Sequence, residues 1–448
     1  MESVLFERKI YTRLLDWKNN QNGKSALMIE GARRVGKSTL VEEFGKKEYR
    51  SHLLIDFMKP LPGTIEIFES YSYDIGLLTS NLSLLYGVRL YERESLVIFD
   101  EVQKYPKARE LIKYLVQDGR YDYIETGSLI SIKKNVKNIQ IPSEEESIQM
   151  NPMDFEEWLW ACGDKRSMDT IRSHYDGRIP LGRVMHSVMM DKFRLYMVVG
   201  GMPGAVSAYI EKHDLSAAEK VKQQIIQLYR NDMHKNEHAP LMTLRLFDTI
   251  PSRLSKRSKV FRPGSVKKGT VTDDYGEAFE WLSESKIVSM CVSNTDPNPA
   301  MNLDNDSGRL KLYMLDTGLL ITHALDVGVV DKSIFAQLAK SKIGINEGMI
   351  SENYVAQALT GTGHRLYFHE FYRNEDDKNL YEVDFIVVKG KKIMPVESKS
   401  SRSGRHTSLD NFMEIYKKRL DSAIVLHHKD IRIDGNVTYL PIYMASLL

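Results

Sequence analysis

Apolar residues along the first third of the chain switch between helical spacing and short continuous runs. Leu5, Ile10, Leu14, Leu15 and Trp17 fall near one helical face and predict a helix over residues 1–20. Asn19 to Gly23 is a polar turn. Four short apolar runs follow, Ala26 to Ile29, Leu53 to Phe57, Leu96 to Phe99 and Tyr121 to Thr126, with longer helical stretches between them. Strands alternating with helices predict an α/β domain with a mostly parallel sheet covered on both faces.

From Asn151 the pattern becomes helical. Phe155, Trp158, Leu159, Met185, Met189, Phe193 and Tyr196 recur at helical spacing, and the stretch Gly200 to Gly204 breaks them with a turn before helices resume through Tyr229. Helices are expected around Phe247 and from Phe279 to Leu282. A hairpin then follows, with strands Ile287 to Val292 and Leu310 to Met314 and a long polar tip from Ser293 to Gly308. Helices followed by a β-ribbon suggest a winged helix. The last stretch reads helix, strand, strand, helix, strand. The expected domains are 1–150, a parallel-sheet domain; 151–235, a helical subdomain; 236–334, winged-helix-like; and 335–448, a mixed helix-and-strand domain.

Composition narrows the function classes. The 448 residues exceed one ordinary domain, 42% are hydrophobic and 27% charged, and the net charge is only +2. A global electrostatic pull toward nucleic acid is therefore absent, although local basic patches are not excluded. Two cysteines without close spacing, Cys162 and Cys291, argue against a disulfide framework or thiolate zinc site and suit a reducing cytoplasm. The N-terminus lacks the apolar core of a signal peptide, and no apolar run is long enough to predict a membrane-spanning helix.

The strongest chemical signal is Gly31-Ala32-Arg33-Arg34-Val35-Gly36-Lys37-Ser38, which fits GxxxxGK[ST] between an apolar run and a helix-compatible run. Gly31 and Gly36 permit close backbone approach, so successive N–H groups and a helix N-terminus can face phosphates. Residues Gly31 through Thr39 are therefore candidate contacts for ATP. Lys37 would set a positive charge on the β and γ oxygens, and Ser38 would offer a hydroxyl to Mg²⁺. The run Leu96 to Phe99 ends in Asp100 and Glu101, on the side of a parallel sheet where ligands bind. Asp100 is the candidate metal residue and Glu101 the candidate base for water. Thr126 or Ser128, at the end of the next run, are candidates to touch the γ-phosphate. Arg33 and Arg34 point at phosphate, a neighbouring subunit or solvent. The bland alternative is an ordinary glycine turn and a solvated acidic strand end.

With these residues in view, the chain resembles bacterial and archaeal AAA-type ATPases that join an N-terminal P-loop domain to a C-terminal domain of unknown function. The matching stretches are GARRVGKSTL at Gly31, LVIFDEVQ at Leu96, IETGSLI at Ile124, NPMDFEEWLWA at Asn151, VVGGMPGAV at Val198, KLYMLDTGLL at Lys311 and EVDFIVVKGKKIMPVESKS at Glu382. The resemblance implies ATP binding, an AAA-like core, and a C-terminal half with a winged helix and a restriction-endonuclease-like fold. It implies adenine rather than guanine, and no arginine finger is evident.

The C-terminal segment carries a second candidate site. Glu382 to Val388 and Ile393 to Lys399 read as paired strands joined by Lys389 to Lys392. A turn centred between Gly390 and Lys391 would set Asp384 opposite Glu397, with Lys399 on the same face as Glu397. An Asp followed by Glu-x-Lys on a hairpin is the pattern of PD-(D/E)XK nucleases. There the carboxylates hold a second Mg²⁺ or Mn²⁺ and the lysine activates water. Glu352 is a candidate further ligand. A salt-bridged hairpin edge or a nuclease fold used only for binding are the alternatives. Arg253, Lys256, Arg257, Lys259, Arg262, Lys267 and Lys268 form a basic stretch able to meet phosphates. Expected partners are ATP, with nucleic acid, a protein or further copies of the chain as additional candidates, and no membrane. The leading expectation is an ATPase that drives a conformational switch. The alternatives are an ATP-regulated nuclease and a nucleotide-gated scaffold.

Overall fold

A computed structural model describes residues 5–127, 143–235, 239–261, 272–325, 333–340, 346–400 and 406–448. The chain forms two compact units: Met1–Asn151 with Glu284–Lys286, and Pro152–Ser283 with Ile287–Leu448.

The first unit is built on a five-stranded sheet. Its strands are β1 (Ala26–Glu30), β2 (Ser51–Asp56), β3 (Ser95–Asp100), β4 (Asp122–Gly127) and β5 (Glu145–Gln149), in the order β2-β3-β4-β1-β5. Every pairing is parallel. This is the α/β arrangement that the alternation of runs predicts. Strand β3 is buried at every position, as a strand covered on both faces must be. One face packs Met28, Leu53, Val97, Phe99 and Tyr123 against Phe68, Leu78, Ile112 and Leu115. The first helix, α1 (Ile10–Gln21), buries Ile10, Leu14 and Trp17. It begins later than the expected 1–20, because the described residues before it are not helical and Leu5 lies exposed.

Strand β5 was not expected. Its sequence, EESIQ, has one buried apolar residue, Ile148, and no run to betray it. It is held by backbone pairing with β1 and by a buried ion pair between Arg109 and Glu145 at 2.8 Å.

In the second unit the helices Phe155–Ala161, Ser167–Gly177, Arg183–Val199, Pro203–Lys212 and Leu215–His234 come first. Asp154 opens them with a reciprocal cap: it accepts from the Glu157 N–H while the Glu157 carboxylate accepts from the Asp154 N–H. The aromatic rings of Phe155, Phe193 and Tyr196 pack with Tyr354 and Tyr443 from the far end of the chain; Phe193 and Tyr354 lie edge to face at 4.5 Å. Residues 151–235 therefore share a core with residues beyond 335.

The expected hairpin exists as β6 (Val288–Asn294) and β7 (Asn305–Met314), and both strands run into the stretch expected as a polar tip. It is not an isolated wing. Strand β6 also pairs in parallel with β8 (Leu366–Phe371), and β9 (Tyr381–Val383) completes the order β7-β6-β8-β9. The sheet thus runs across the boundary expected at 334/335. A second sheet holds β10 (Phe385–Lys389), β11 (Lys392–Lys399), β12 (Ala423–His427), β13 (Arg432–Asp434) and β14 (Val437–Pro441), in the order β10-β11-β12-β14-β13. Strands β10 and β11 pair from Phe385 opposite Val396 to Lys389 opposite Lys392, and Asp384 stands one residue before the first pair. Strand β12 runs parallel to β11 after the helix Thr407–Ile415.

Two of the distinctive stretches meet here. Asp316 is fully buried; its carboxylate accepts from the Gly201 N–H at 2.6 Å and the Leu319 N–H at 2.9 Å. Lys222, also buried, donates to the Val198 carbonyl at 2.7 Å and lies 2.9 Å from Glu219. VVGGMPGAV and KLYMLDTGLL are therefore halves of one buried polar lock, where an unmatched group would carry a full desolvation penalty.

Candidate functional site

The phosphate loop lies between β1 and α2 (Lys37–Glu48). Gly36, just before the helix, has φ +100°, a left-handed conformation that a side chain would strain. A Cβ on Gly31 would stand 2.3 Å from the Met150 carbonyl oxygen. Both glycines are therefore required by geometry. Ala32 and Val35 are buried, Ser38 and Thr39 half-buried, Arg33 half-buried and Arg34 exposed with φ +71°. Lys37 is buried and its ammonium donates to the carbonyls of Gly31 at 2.8 Å and Ala32 at 3.1 Å. Burial pulls its pKa down, opposed by Glu101 and Asp100. A lysine curled onto its own loop carbonyls is a buried cation that an anionic ligand would satisfy better.

Strand order brings the other candidates to this loop. Strand β4 lies between β1 and β3, so Thr126 stands between the phosphate loop and the acidic end of β3. The Ser38 hydroxyl donates to Asp100 at 2.9 Å, and the Thr126 hydroxyl donates to the same oxygen. Thr126 in turn accepts from the Glu101 N–H at 3.2 Å. Burial pushes the Asp100 carboxyl up, while the Thr126 and Ser38 hydroxyls pull it down. Glu101 has φ +53°, a costly conformation for a side-chain-bearing residue, held by the bonds on either side. Its carboxylate accepts from the Gln103 side chain. The candidates Lys37, Ser38, Asp100, Glu101 and Thr126 thus form one connected constellation; Ser128 lies outside the described residues. The Ser38 hydroxyl and Asp100 carboxylate, already in contact, form a hard-oxygen donor set that suits Mg²⁺.

Two groups escaped the sequence reading. Arg8, buried, donates to the Val35 carbonyl at 3.1 Å and the Asn151 carbonyl at 2.6 Å, tying the phosphate loop to the last residue of the first unit. Nothing in the local sequence marks it. Gln103 had only its place two residues past Glu101.

The C-terminal candidates also meet, in unexpected company. Lys399 pairs with Glu397 at 2.5 Å, and Asp384 accepts from the Ser398 N–H at 2.9 Å. Glu352, however, accepts from Lys259 on one oxygen, and on the other from Tyr313 at 2.6 Å with Lys311 at 3.5 Å. Lys311 is fully buried and also donates to Glu382 at 2.6 Å. Burial alone would raise the Glu352 carboxyl, but Lys311 and Lys259 hold it down to about 2. Burial, with Glu352 beside it, pushes Asp384 up to about 6, and burial next to Asp384 pushes Glu397 up to about 7. Glu352, expected as a metal ligand, is ion-paired instead. Among the described residues no group of three or more His, Cys, Asp or Glu is arranged to hold a metal. The basic stretch is also dispersed: Lys259 turns inward, Lys256 and Arg257 stay exposed, and Arg262, Lys267 and Lys268 lie outside the described residues.

The family model described as "AAA domain" matches residues 23–159, and two models described as "Domain of unknown function", DUF8612 and DUF4143, match residues 190–329 and 347–444. The parallel sheet and phosphate loop are thus a P-loop domain of AAA type, an ATP-binding ATPase class. No curated protein matches the sequence. Among solved structures the chain is similar to a Walker-type ATPase of Pyrococcus abyssi, at 16% identity over 72% of this chain and 97% of that one, TM-score 0.40. It is also similar to Cdc6p from Pyrobaculum aerophilum, at 10% identity over 77% and 98%, TM-score 0.29. A third likeness is to Drosophila ORC bound to DNA, at 12% identity over 75% and 95%, TM-score 0.29. These likenesses are distant, and the assignment rests on the strand order, the loop and the domain match. No helix among the described residues is long and apolar enough to cross a membrane.

Proposed function

We propose that this chain is an ATP-hydrolysing switch whose first unit binds ATP and whose second unit responds to it. The observation that carries the reading is the connected constellation of Lys37, Ser38, Asp100, Thr126 and Glu101 at the strand ends. In this reading the loop N–H groups and Lys37 hold the β- and γ-phosphates. Ser38, with Asp100 behind it, would hold Mg²⁺, which would supply positive charge against the phosphates. Glu101 accepts a proton from the attacking water, and Thr126 orients the carboxylates. Arg8 supports the switch, because it grips the phosphate loop and Asn151 together, and the second unit begins at the next residue.

Substituting Glu101→Gln should leave ATP binding intact and slow hydrolysis by about 10²- to 10⁴-fold, the span for loss of a general base. The measurements are phosphate release and nucleotide binding on the same preparation. A nucleotide-gated scaffold with little turnover is the second reading, favoured by the Gln103 side chain that already occupies Glu101. It predicts that wild type and Glu101→Gln release phosphate equally slowly. We read β10, β11 and β12 with the helix Glu347–Gly361 as a nuclease-like core, supported by the Ser398 N–H that Asp384 accepts next to the Glu397–Lys399 pair. Partners of nucleic-acid or protein character belong to this second unit.

A further inference from the structure

Three of the four carboxylates in the nuclease-like core, Glu352, Glu382 and Glu397, are ion-paired with lysines. Glu352, Asp384 and Glu397 are buried and Glu382 half-buried, and the ammonium groups of Lys259, Lys311 and Lys399 lie among them. Lys311 belongs to β7 and Lys399 to β11, so each comes from a strand of the sheets that build the site. Lys259 does not. It stands on an irregular segment after the helix Pro240–Leu254.

That segment is anchored rather than draped. The Phe261 N–H donates to the Leu310 carbonyl at 2.7 Å, and Phe261 forms a bridge with Leu310 on β7. Val260 and Phe261 are almost wholly buried, and the Arg253 guanidinium lies over the Phe261 ring at 5.1 Å. The anchor delivers Lys259 to one Glu352 oxygen, leaving the other to Tyr313 and Lys311. Lys259 also feels the charge of Asp384.

We propose that Lys259 is a built-in cation that takes the place of a divalent metal ion between Glu352 and Asp384, so that the protein holds no Mg²⁺ or Mn²⁺ at its nuclease-like centre while Lys259 is seated there. A divalent ion needs carboxylate oxygens that are not already committed to ammonium groups, and a second cation so close would be repelled. With Glu352 held by Lys259 and Glu397 held by Lys399, Asp384 alone among these carboxylates has no ammonium bonded to it, and a single carboxylate beside three ammonium groups is a poor seat for a divalent ion. The lysine thus acts as a plug: it occupies Glu352 where a metal would need it, and the segment 255–261 decides whether the centre can be metallated. The inference rests on the nuclease-like reading of the second unit and is independent of the ATP site.

The test is Mn²⁺ binding by the full chain without nucleotide, followed by electron paramagnetic resonance near neutral pH. Wild type should hold no Mn²⁺ that Asp384→Asn removes. Lys259→Met should gain a single Mn²⁺ site, absent from the Lys259→Met/Asp384→Asn pair, and Lys259→Arg should behave as wild type. Circular dichroism checks that each variant folds. Should the methionine variant fail to fold, Lys259→Gln keeps a hydrogen bond to Glu352 without the charge and serves in its place. Wild-type Mn²⁺ binding that Asp384→Asn abolishes would overturn the proposal. So would a folded, uncharged Lys259 variant that still binds no Mn²⁺, because the lysine would then not be what excludes the metal. Cleavage of DNA or RNA by wild type with Mn²⁺, lost in Asp384→Asn, would overturn it as well and would at the same time uphold the nuclease-like reading.

Discussion

The phosphate loop and the C-terminal carboxylate cluster use the same ingredients, buried lysine beside two acids and hydroxyls, to opposite ends. At the loop, the Lys37 ammonium donates to backbone carbonyls and feels Glu101 and Asp100 as nearby charges without a bond to either, and Asp100 leans on two hydroxyls. The positive partner of the acids and the negative partner of the lysine are both left for a ligand. In the cluster, Lys259, Lys311 and Lys399 pair with Glu352, Glu382 and Glu397 from within. What separates a site that awaits a ligand from one that is closed is therefore where the counter-charge comes from, not which residue types are present. A buried ion lacking an internal partner is costly, and an incoming ligand relieves that cost.

The sharpest way to break this contrast is Lys37→Ala. If the loop truly waits for phosphate, ATP binding should weaken by at least about 100-fold, since charge-assisted hydrogen bonds each contribute roughly 1.5–3 kcal/mol. Isothermal titration with ATP and Mg²⁺ reads this, and an unchanged affinity would mean that Lys37 prefers its carbonyls. Arg8 should have a smaller effect. Arg8→Ala removes the bonds to Val35 and Asn151 and should weaken ATP binding by about tenfold, the worth of one such hydrogen bond. Limited proteolysis with and without ATP adds a second readout: in Arg8→Ala, nucleotide should no longer change cleavage in the second unit.

The smallest effect concerns pH and the closed cluster. Asp384 and Glu397 titrate at about 6 and about 7 in the folded chain, above the ordinary carboxyl values. The folded state then binds more protons than the unfolded one, so stability is fullest at the acidic end of this window and falls as pH rises from about 4 through 7. Glu352, held at about 2, contributes the other way, but its stabilisation is complete above about pH 5 and is lost only in stronger acid. Melting curves should show wild type losing a few degrees between about pH 5 and 7.5 that Asp384→Asn retains. Parallel curves for the two proteins would show that the cluster is ionised throughout.

Much of the nucleotide site was legible because its residues sit in short contiguous motifs at strand ends. Gly31 to Ser38 and Asp100-Glu101 carry both the chemistry and the local backbone that presents it. Strand β5 was not legible: EESIQ has no apolar run, and Arg109 and strand pairing hold it in place. Arg8 was invisible because its partners are backbone carbonyls 27 and 143 residues away. At the second site the hairpin register was readable from the two-residue turn, which pairs Lys389 with Lys392 and so Phe385 with Val396. Lys259 reads in the sequence as one member of a basic stretch, because charge runs say nothing about which way a side chain turns.

By itself, then, the sequence determined the local pieces: the apolar runs, the glycine loop, the carboxylates at the ends of strands and the two-residue turn between β10 and β11. Each follows from steric and hydrophobic rules acting over a few residues. Only the tertiary structure decided which charges meet. It set Thr126 between Lys37 and Asp100 by the order of the strands, and it brought Lys259 and Lys311 onto Glu352 across 93 and 41 residues. Whether a buried charge awaits a ligand or is already matched depends on its neighbours in space, and linear spacing carries no record of them.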